Sequence, residues 1–252
     1  MQYTSLTSGI LLRRYKRFLA DIELASGEVV VAHCPNTGSM RSTNVPGCRV
    51  WLSASTNPAR KLPWTWELIE LPQPDGSMAL SSIHTGRANA IVEEALRAQR
   101  IPELNGYAAL RREVRVDSGR LDFCLEDSTR GCAFIEVKQV TLKEDDGHGY
   151  FPASVTVRGA RHLESLGRLA KTGQRAVLLF CVANTGIKDV APAEHIDPVY
   201  ASTLRHVVGE GVEVLAYGCR IERVDGIPQG IYLDRPLPLS LECRLMQQQA
   251  TS

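Results

Sequence analysis

Short runs of alternating hydrophobic and polar residues fill about the first eighty positions of the chain. Alternation with a period of two is typical of β-strands that have one buried face. The predicted strands, separated by loops that contain Pro and Gly, are 17–24, 28–32, 48–53, 64–71 and 78–83. Five short strands of this kind predict a small closed or nearly closed barrel, of which the oligonucleotide-binding (OB) fold is a common five-stranded form.

The pattern changes near residue 84, where hydrophobic positions begin to recur at helical spacing. Thr85 is placed to cap a helix over about 86–100, which Pro102 would end. Further helices are predicted near 155–171 and 197–208, and strands near 110–116, 121–126, 133–142, 175–182 and 212–217. Together these elements predict an α+β protein with two domains, an OB-like barrel over 1–83 and a mixed-sheet α/β domain over 84–243. We expect the tail at 244–252 to be frayed.

Composition and charge are those of an ordinary globular protein. The 252 residues are 44% hydrophobic and 23% charged, and the formal net charge is +1. A charge so close to zero argues against a protein that coats nucleic acid by bulk electrostatics. No hydrophobic stretch approaches the roughly 20 residues that span a bilayer, and the N-terminus lacks a secretory signal pattern. We therefore expect no membrane partner and a cytoplasmic location, with the seven scattered cysteines reduced.

A predicted hairpin carries the most informative chemistry. Two alternating segments, 121–125 and 134–140, flank a polar loop that ends in Gly. If the hairpin is symmetric about Thr129, Asp122 lies opposite Glu136, and Lys138 follows on the same face. Two adjacent carboxylates favour a divalent cation such as Mg²⁺ or Mn²⁺, and a neighbouring lysine could act on water or on a phosphate. The alternative is a solvated hairpin face on which Lys138 forms a cross-strand ion pair.

Two basic clusters are candidate nucleic-acid contacts. The first gathers four cations around an aromatic ring and consists of Arg13, Arg14, Tyr15, Lys16 and Arg17. Such a composition suits phosphate contacts with base stacking, although a solvated basic strand or turn would look the same. In the second, Arg158, Arg161 and His162 line one side of the helix predicted near 155–171.

The segment 33–40 contains a candidate phosphate-binding loop. Asn36, Thr37 and Gly38 can form a turn whose exposed amide groups would hold a phosphate. The alternative is a rigid turn in which Asn36 bonds its own backbone. Cys34 lies beside His33, but no further soft ligand lies at suitable spacing. We therefore expect Cys34 to be a small packed residue and not a metal ligand.

Several segments carry a family resemblance. They are 11–21 (LLRRYKRFLAD), 33–40 (HCPNTGSM), 136–142 (EVKQVTL), and Tyr150-Phe151-Pro152 with Arg158-Gly159 and His162-Leu163. In order and spacing, from about residue 8 to residue 240, the chain resembles the sugar fermentation stimulation protein A family. The resemblance implies an N-terminal OB-like barrel joined to a domain similar to the PD-(D/E)xK nucleases, and it implies DNA binding.

The resemblance implies that four residues of this chain occupy the positions of the nuclease motif. Asp122 matches the single aspartate, and Glu136 and Lys138 match the ExK element. Glu94 matches the helix glutamate that often completes such sites, with Glu93 as the competing choice. The chain departs from the family where relatives tend to carry Phe-Pro-Asp, because Ala153 follows Phe151-Pro152, and where Val157 replaces an acidic residue.

Two classes of function follow from these observations. One is a Mg²⁺- or Mn²⁺-dependent nuclease that hydrolyses phosphodiester bonds, with Asp122 and Glu136 as metal ligands. The other is a non-catalytic DNA-binding regulator of sugar (maltose-type) metabolism genes. The expected partner is DNA, with RNA as an alternative, and the sequence leaves the oligomeric state open, a homodimer included.

Overall fold

A computed structural model describes residues 1–116 and 119–242 of the chain, and the predicted tail lies outside these described residues. The strands in chain order are β1 Thr7–Tyr15, β2 Leu19–Leu24, β3 Val29–His33, β4 Arg49–Ala54, β5 Trp64–Pro72, β6 Met78–Ser82, β7 Ala109–Val116, β8 Gly119–Asp127, β9 Gly131–Val140, β10 Leu142–Lys143, β11 Gly149–Phe151, β12 Arg175–Val182, β13 Val190–Pro192, β14 Glu213–Val224 and β15 Ile227–Pro236. The helices are α1 Arg87–Arg97, α2 Val157–Lys171 and α3 Pro198–Gly209, and a 3-10 turn spans Pro102–Leu104.

The N-terminal strands form a closed barrel with an appended strand. Their order is β3-β2-β1-β4-β5-β6, and a parallel pairing of β3 with β5 closes the first five into a ring. The interior is hydrophobic, with Leu11, Ile22 and Trp66 fully buried. The predicted barrel is therefore confirmed, but its strands differ: β1 was not predicted, and β6 lies outside the ring.

The sequence pattern of β1 explains why it was missed. Ile10 and Leu12 are exposed while Leu11 between them is buried, so three consecutive apolar residues hide the period of two. The register of β1 against β2 also shifts between Leu11 and Arg13, which marks an irregularity in the strand.

The second sheet has the order β15-β14-β12-β9-β8-β7. β12 runs parallel to both β9 and β14, and the other neighbours are antiparallel, so the predicted mixed sheet is confirmed. One hydrophobic cluster joins α1 residues to one set of sheet residues, and another joins α2 and α3 to a different set. The strand predicted at 175–182 matches β12, which is buried along almost its whole length.

Two element predictions need correction. α1 begins after Gly86 without a side-chain cap, because the Thr85 hydroxyl donates instead to the Pro35 carbonyl at 3.0 Å. β14 continues to Val224 and pairs with β15, which was not predicted. β15 contains Pro228 and Gly230, which argue against a strand in sequence but are tolerated here at the edge of a sheet.

β6 ends at Ser82 and α1 begins at Arg87, one on each side of the predicted domain boundary. The two parts are in contact, since the Ser82 amide donates to the Ala183 carbonyl at 2.8 Å. Within 1–116 and 119–242, no helix has the length and hydrophobicity needed to cross a membrane.

Candidate active site

The β8–β9 hairpin has the predicted register. Phe123 pairs with Ile135, and Asp127 pairs with Gly131 at the turn, as symmetry about Thr129 requires. The Asp127 carboxylate holds the turn by accepting the Thr129 and Arg130 backbone amides at 2.9 and 3.0 Å. The backbone ladder stops at Phe123, and the candidate site begins at the point where the strands separate.

Asp122 occupies this point of separation. Its Oδ2 accepts a hydrogen bond from the Val137 backbone amide at 2.8 Å. This side-chain bond connects β8 to β9 beyond the last backbone pair of the hairpin. Its Oδ1 accepts Nδ2 of Asn89, on α1, at 2.7 Å. Burial and the negative charge of Glu136 raise the pKa of Asp122 above its usual value, although both hydrogen bonds and Lys138 act in the opposite direction.

Glu136 is the buried charge of the site, with a relative exposure of 2%. Its Oε1 accepts hydrogen bonds from the Lys138 ammonium and from Nδ1 of His162 on α2. Burial acts to raise the pKa of Glu136, but His162 and Lys138 outweigh it and hold that pKa below its usual value. Among the described residues, the second oxygen, Oε2, is buried and has no hydrogen-bond partner.

The donor set fits a hard divalent cation. A carboxylate oxygen only accepts, so a buried Oε2 without a donor is costly unless a cation or a water contacts it. Asp122 lies close enough to Glu136 for the two charges to interact, and both offer the oxygen ligands that Mg²⁺ and Mn²⁺ prefer. Asp122 and Glu136 are therefore the residues that would hold such an ion.

His162 has a different place from the one predicted. The sequence predicts that it contacts nucleic acid, but its Nδ1 lies against the Glu136 carboxylate. Its Nε2 accepts a hydrogen bond from Nε of Arg158 at 3.4 Å. The ring thus lies between the buried Glu136 carboxylate and the exposed Arg158 side chain, which fixes its orientation. Arg158 and Arg161 are exposed on α2, and their contact with nucleic acid stays a prediction.

Glu94 has a partner other than the candidate site. Its carboxylate forms an ion pair with the Met1 ammonium at 2.5 Å, and its role in the site stays a prediction. Glu93, the competing choice, binds Arg97 and Arg112.

The α1 residue that does reach the site is Asn89. It lies one helical turn before Glu93 on the same stripe, and this spacing was the available signal. Sequence reasoning missed it because an amide carries no charge.

Two arginines of the first basic cluster form hydrogen bonds to the protein's own backbone. Arg14 donates to the carbonyls of Arg17, Asn36 and Gly38 at 2.7–3.0 Å, and Arg17 donates to the Thr37 carbonyl at 2.7 Å. Arg14 and Arg17 therefore anchor the 36–38 loop through these donors.

The other members of that cluster lie at the surface. Arg13 forms an ion pair with Asp21 at 2.7 Å and lies 5.0 Å from the centre of the Tyr15 ring. Lys16 is exposed.

The 36–38 loop is a rigid turn. The Gly38 amide donates to Oδ1 of Asn36 at 2.8 Å, so this amide is not available to hold a phosphate, and the loop carbonyls are turned to the arginines. This hydrogen bond is the one that the rigid-turn alternative requires, and phosphate binding by Asn36 and Thr37 stays a prediction. Cys34 is a buried packed residue with its sulfur 3.5 Å from that of Met40.

The loop also reaches the second domain. The Ser39 hydroxyl donates to the Ala153 carbonyl at 2.6 Å, and the Ser42 hydroxyl donates to the Thr141 carbonyl at 3.1 Å. Thr141 directly follows β9, and Ala153 lies between β11 and α2. The barrel thus contacts the segments that flank Glu136 and His162.

An OB barrel followed by a domain built on a mixed six-stranded sheet defines the class of this protein. Two family models match it: the SfsA N-terminal OB domain over residues 12–79 and the sugar fermentation stimulation protein RE domain over residues 86–225. The chain belongs to the sugar fermentation stimulation protein (SfsA) family.

Similar proteins span nearly its whole length. A sugar fermentation stimulation protein homolog of Chromohalobacter salexigens is 66% identical over 97% of each chain. A homolog of Pseudomonas putida is 54% identical over 94% of this chain and 97% of its own. The structure of Pyrococcus furiosus SfsA in complex with Ca²⁺ has a TM-score of 0.82 at 28% identity, covering 95% of this chain and 98% of that one.

Neutralising the two carboxylates should have opposite effects on the metal-free protein. The raised pKa of Asp122 means that its charged form is disfavoured in the folded state, so Asp122→Asn should keep or raise the melting temperature. The lowered pKa of Glu136 means that its charged form is favoured in the folded state. Glu136→Gln should therefore lower the free energy of unfolding by about 1–3 kcal/mol. Each kcal/mol should lower the melting temperature by roughly 2–4 °C. Thermal unfolding in chelator measures both, with the exposed Glu164→Gln as control. Equal shifts for the two variants would contradict this assignment.

Asn89 should support Asp122 through its amide. Asn89→Ala removes the donor to Oδ1 and should cost about 1 kcal/mol, whereas Asn89→Asp places a third carboxylate beside Asp122 and should cost more. Adding Mn²⁺ should recover most of the loss in Asn89→Asp but little in Asn89→Ala, as measured by thermal unfolding with and without metal. Equal recovery in both variants would argue against a role for Asn89 at a cation site.

Proposed function

We propose that this protein is a divalent-metal-dependent nuclease that hydrolyses phosphodiester bonds, with Mg²⁺ or Mn²⁺ held by Asp122 and Glu136. The observation that carries the proposal is Oε2 of Glu136, a buried oxygen to which none of the described residues donates, next to a second carboxylate and a lysine. Burying such an oxygen without a partner costs free energy, and a bound cation would offset that cost. The Ca²⁺ bound to the P. furiosus relative supports the same class of ligand, since Ca²⁺ also takes oxygen donors.

The residues of the site have distinct roles in this proposal. A bound cation would polarise the phosphate and lower the pKa of a water. Lys138 lies beside the carboxylates and stabilises negative charge that develops on the phosphate as water oxygen joins phosphorus and a P–O ester bond breaks. His162 donates to Oε1 of Glu136 and orients the carboxylate, while Asn89 and the Val137 amide orient Asp122.

The nucleic acid lies against α2 and the barrel in this proposal. Arg158 and Arg161 are exposed beside His162, so they can neutralise phosphates near the site. Arg13 and Lys16 are exposed on the barrel and would supply further phosphate contacts, with the Tyr15 ring between them in sequence. DNA is the proposed substrate, and RNA is the alternative.

Cleavage assays on a panel of single- and double-stranded DNA and RNA test the proposal. Wild-type protein should cut at least one substrate with Mn²⁺ or Mg²⁺ and none in chelator. Lys138→Ala should lose about 10²–10³-fold in rate and keep most of its affinity, because one charge matters more to the transition state than to a footprint of many contacts. Lys143, which binds Gln73, offers the matched control as Lys143→Ala.

Binding without cleavage across the whole panel would overturn the nuclease proposal. The non-catalytic DNA-binding regulator of sugar metabolism genes would then account for the basic surface. Cleavage by Lys138→Ala at the wild-type rate would show instead that the activity belongs to another site.

Two pairs of arginines should affect binding in different ways. Changing Arg158 and Arg161 to Ala should weaken nucleic-acid affinity and make the salt dependence shallower, by a slope of about 0.9 for each duplex phosphate that the protein no longer neutralises. Changing Arg14 and Arg17 to Ala should mainly lower the melting temperature, because the loop carbonyls lose their donors. Salt titrations of affinity and thermal unfolding separate the two effects. A larger salt effect from the second pair would reverse the assignment.

A further inference from the structure

A second cluster of ligating side chains lies on the same hairpin, nearer to its turn. Cys124 and Glu126 lie two residues apart on β8, so their side chains share one face of the sheet. Glu126 pairs directly with Cys132 on β9, which places the second thiol on that face as well. The hairpin register therefore brings together two cysteines and one carboxylate that are not assigned to the proposed nuclease site.

The three ligand atoms are close to metal-binding separation. The sulfur atoms of Cys124 and Cys132 and a carboxylate oxygen of Glu126 all lie within 4.8 Å of one another. Zn–S bonds of about 2.3 Å in a tetrahedral site would separate two sulfurs by about 3.8 Å, so small side-chain movements would complete the geometry. In the part of the chain that the structure describes, this is the one cluster of three such ligands.

Burial and the neighbouring Cys132 raise the pKa of the Cys124 thiol to about 12, so a bound cation would have to displace the thiol protons to solvent. Cys124 is fully buried, whereas Cys132 and Glu126 are half-buried and leave a path from solvent. Arg111 on β7 pairs in register with Cys124, and its guanidinium binds the Glu126 carboxylate. Two thiolates, one carboxylate and a divalent cation sum to a charge of about −1, which the Arg111 cation offsets.

The ligand chemistry differs from that of the proposed nuclease site. Asp122 and Glu136 offer only oxygen and favour Mg²⁺ or Mn²⁺, whereas thiolates favour Zn²⁺ and related ions. We propose that Cys124, Glu126 and Cys132 form a second metal site that takes a thiophilic divalent cation of the zinc type, with a fourth position open to solvent. The bound ion would link β8 to β9 two residues from Asp122.

Cobalt is a suitable probe because Co²⁺ takes the geometry of Zn²⁺ and absorbs visible light. The full-length reduced protein should bind one Co²⁺ with thiolate-to-metal charge-transfer and tetrahedral d–d bands, and Zn²⁺ should displace it. Cys132→Ser should lose the charge-transfer intensity, and Glu126→Gln should weaken affinity about 10-fold or more while keeping the bands. Cys48→Ser changes a half-buried cysteine of the barrel and should leave the bands unchanged.

Asp122→Asn separates this site from the proposed nuclease site, because it should leave the cobalt bands intact whatever it does to Mn²⁺-dependent cleavage. Absence of a charge-transfer band at stoichiometric Co²⁺ would overturn the proposal, as would bands that survive Cys132→Ser. Glu126→Gln keeps the test available if the serine variant fails to fold, and unchanged cobalt affinity in that variant would remove Glu126 from the site.

Discussion

The buried carboxylate of Glu136 is the constraint around which the second domain is organised. An ionised carboxylate at 2% exposure costs several kcal/mol unless it is paired and hydrogen-bonded. Lys138 from the same strand and His162 from α2 supply that pairing at Oε1. Asp122 is in turn fixed by Asn89 from α1 and by the Val137 amide of β9. Elements on both faces of the sheet are therefore tied to one point at the end of the β8–β9 ladder.

The barrel contacts the segments beside the candidate site through the loop after β3. Arg14 and Arg17 hold the loop by its carbonyls, and Ser39 and Ser42 connect it to the segments that flank the candidate site. Two arginines of the first basic cluster thus support the fold, while Arg13 and Lys16 stay exposed. Arginine serves this purpose because its guanidinium presents several donors in a fixed plane, and one Arg14 nitrogen contacts three carbonyls.

Features with a local physical cause were predictable from sequence. The register of the hairpin follows from alternation and a symmetric turn, and the buried strand β12 follows from a continuous hydrophobic run. Tertiary partners were not predictable in the same way. The helical stripe of α1 identified Glu94 and Glu93, but only the packing of α1 on the sheet shows that Asn89 reaches Asp122. Edge strand β15 was missed because of its Pro and Gly residues, whose cost depends on a position in the sheet that the sequence does not contain.

Locating a bound ion tests the central claim most directly. Crystals of the protein grown with Mn²⁺ and measured for anomalous scattering at the manganese edge would show where the ion lies. We predict a peak between the Asp122 and Glu136 carboxylates, with Oε2 of Glu136 as a ligand and Lys138 outside the coordination sphere. Manganese bound elsewhere, with Oε2 contacting only protein or water, would contradict this account.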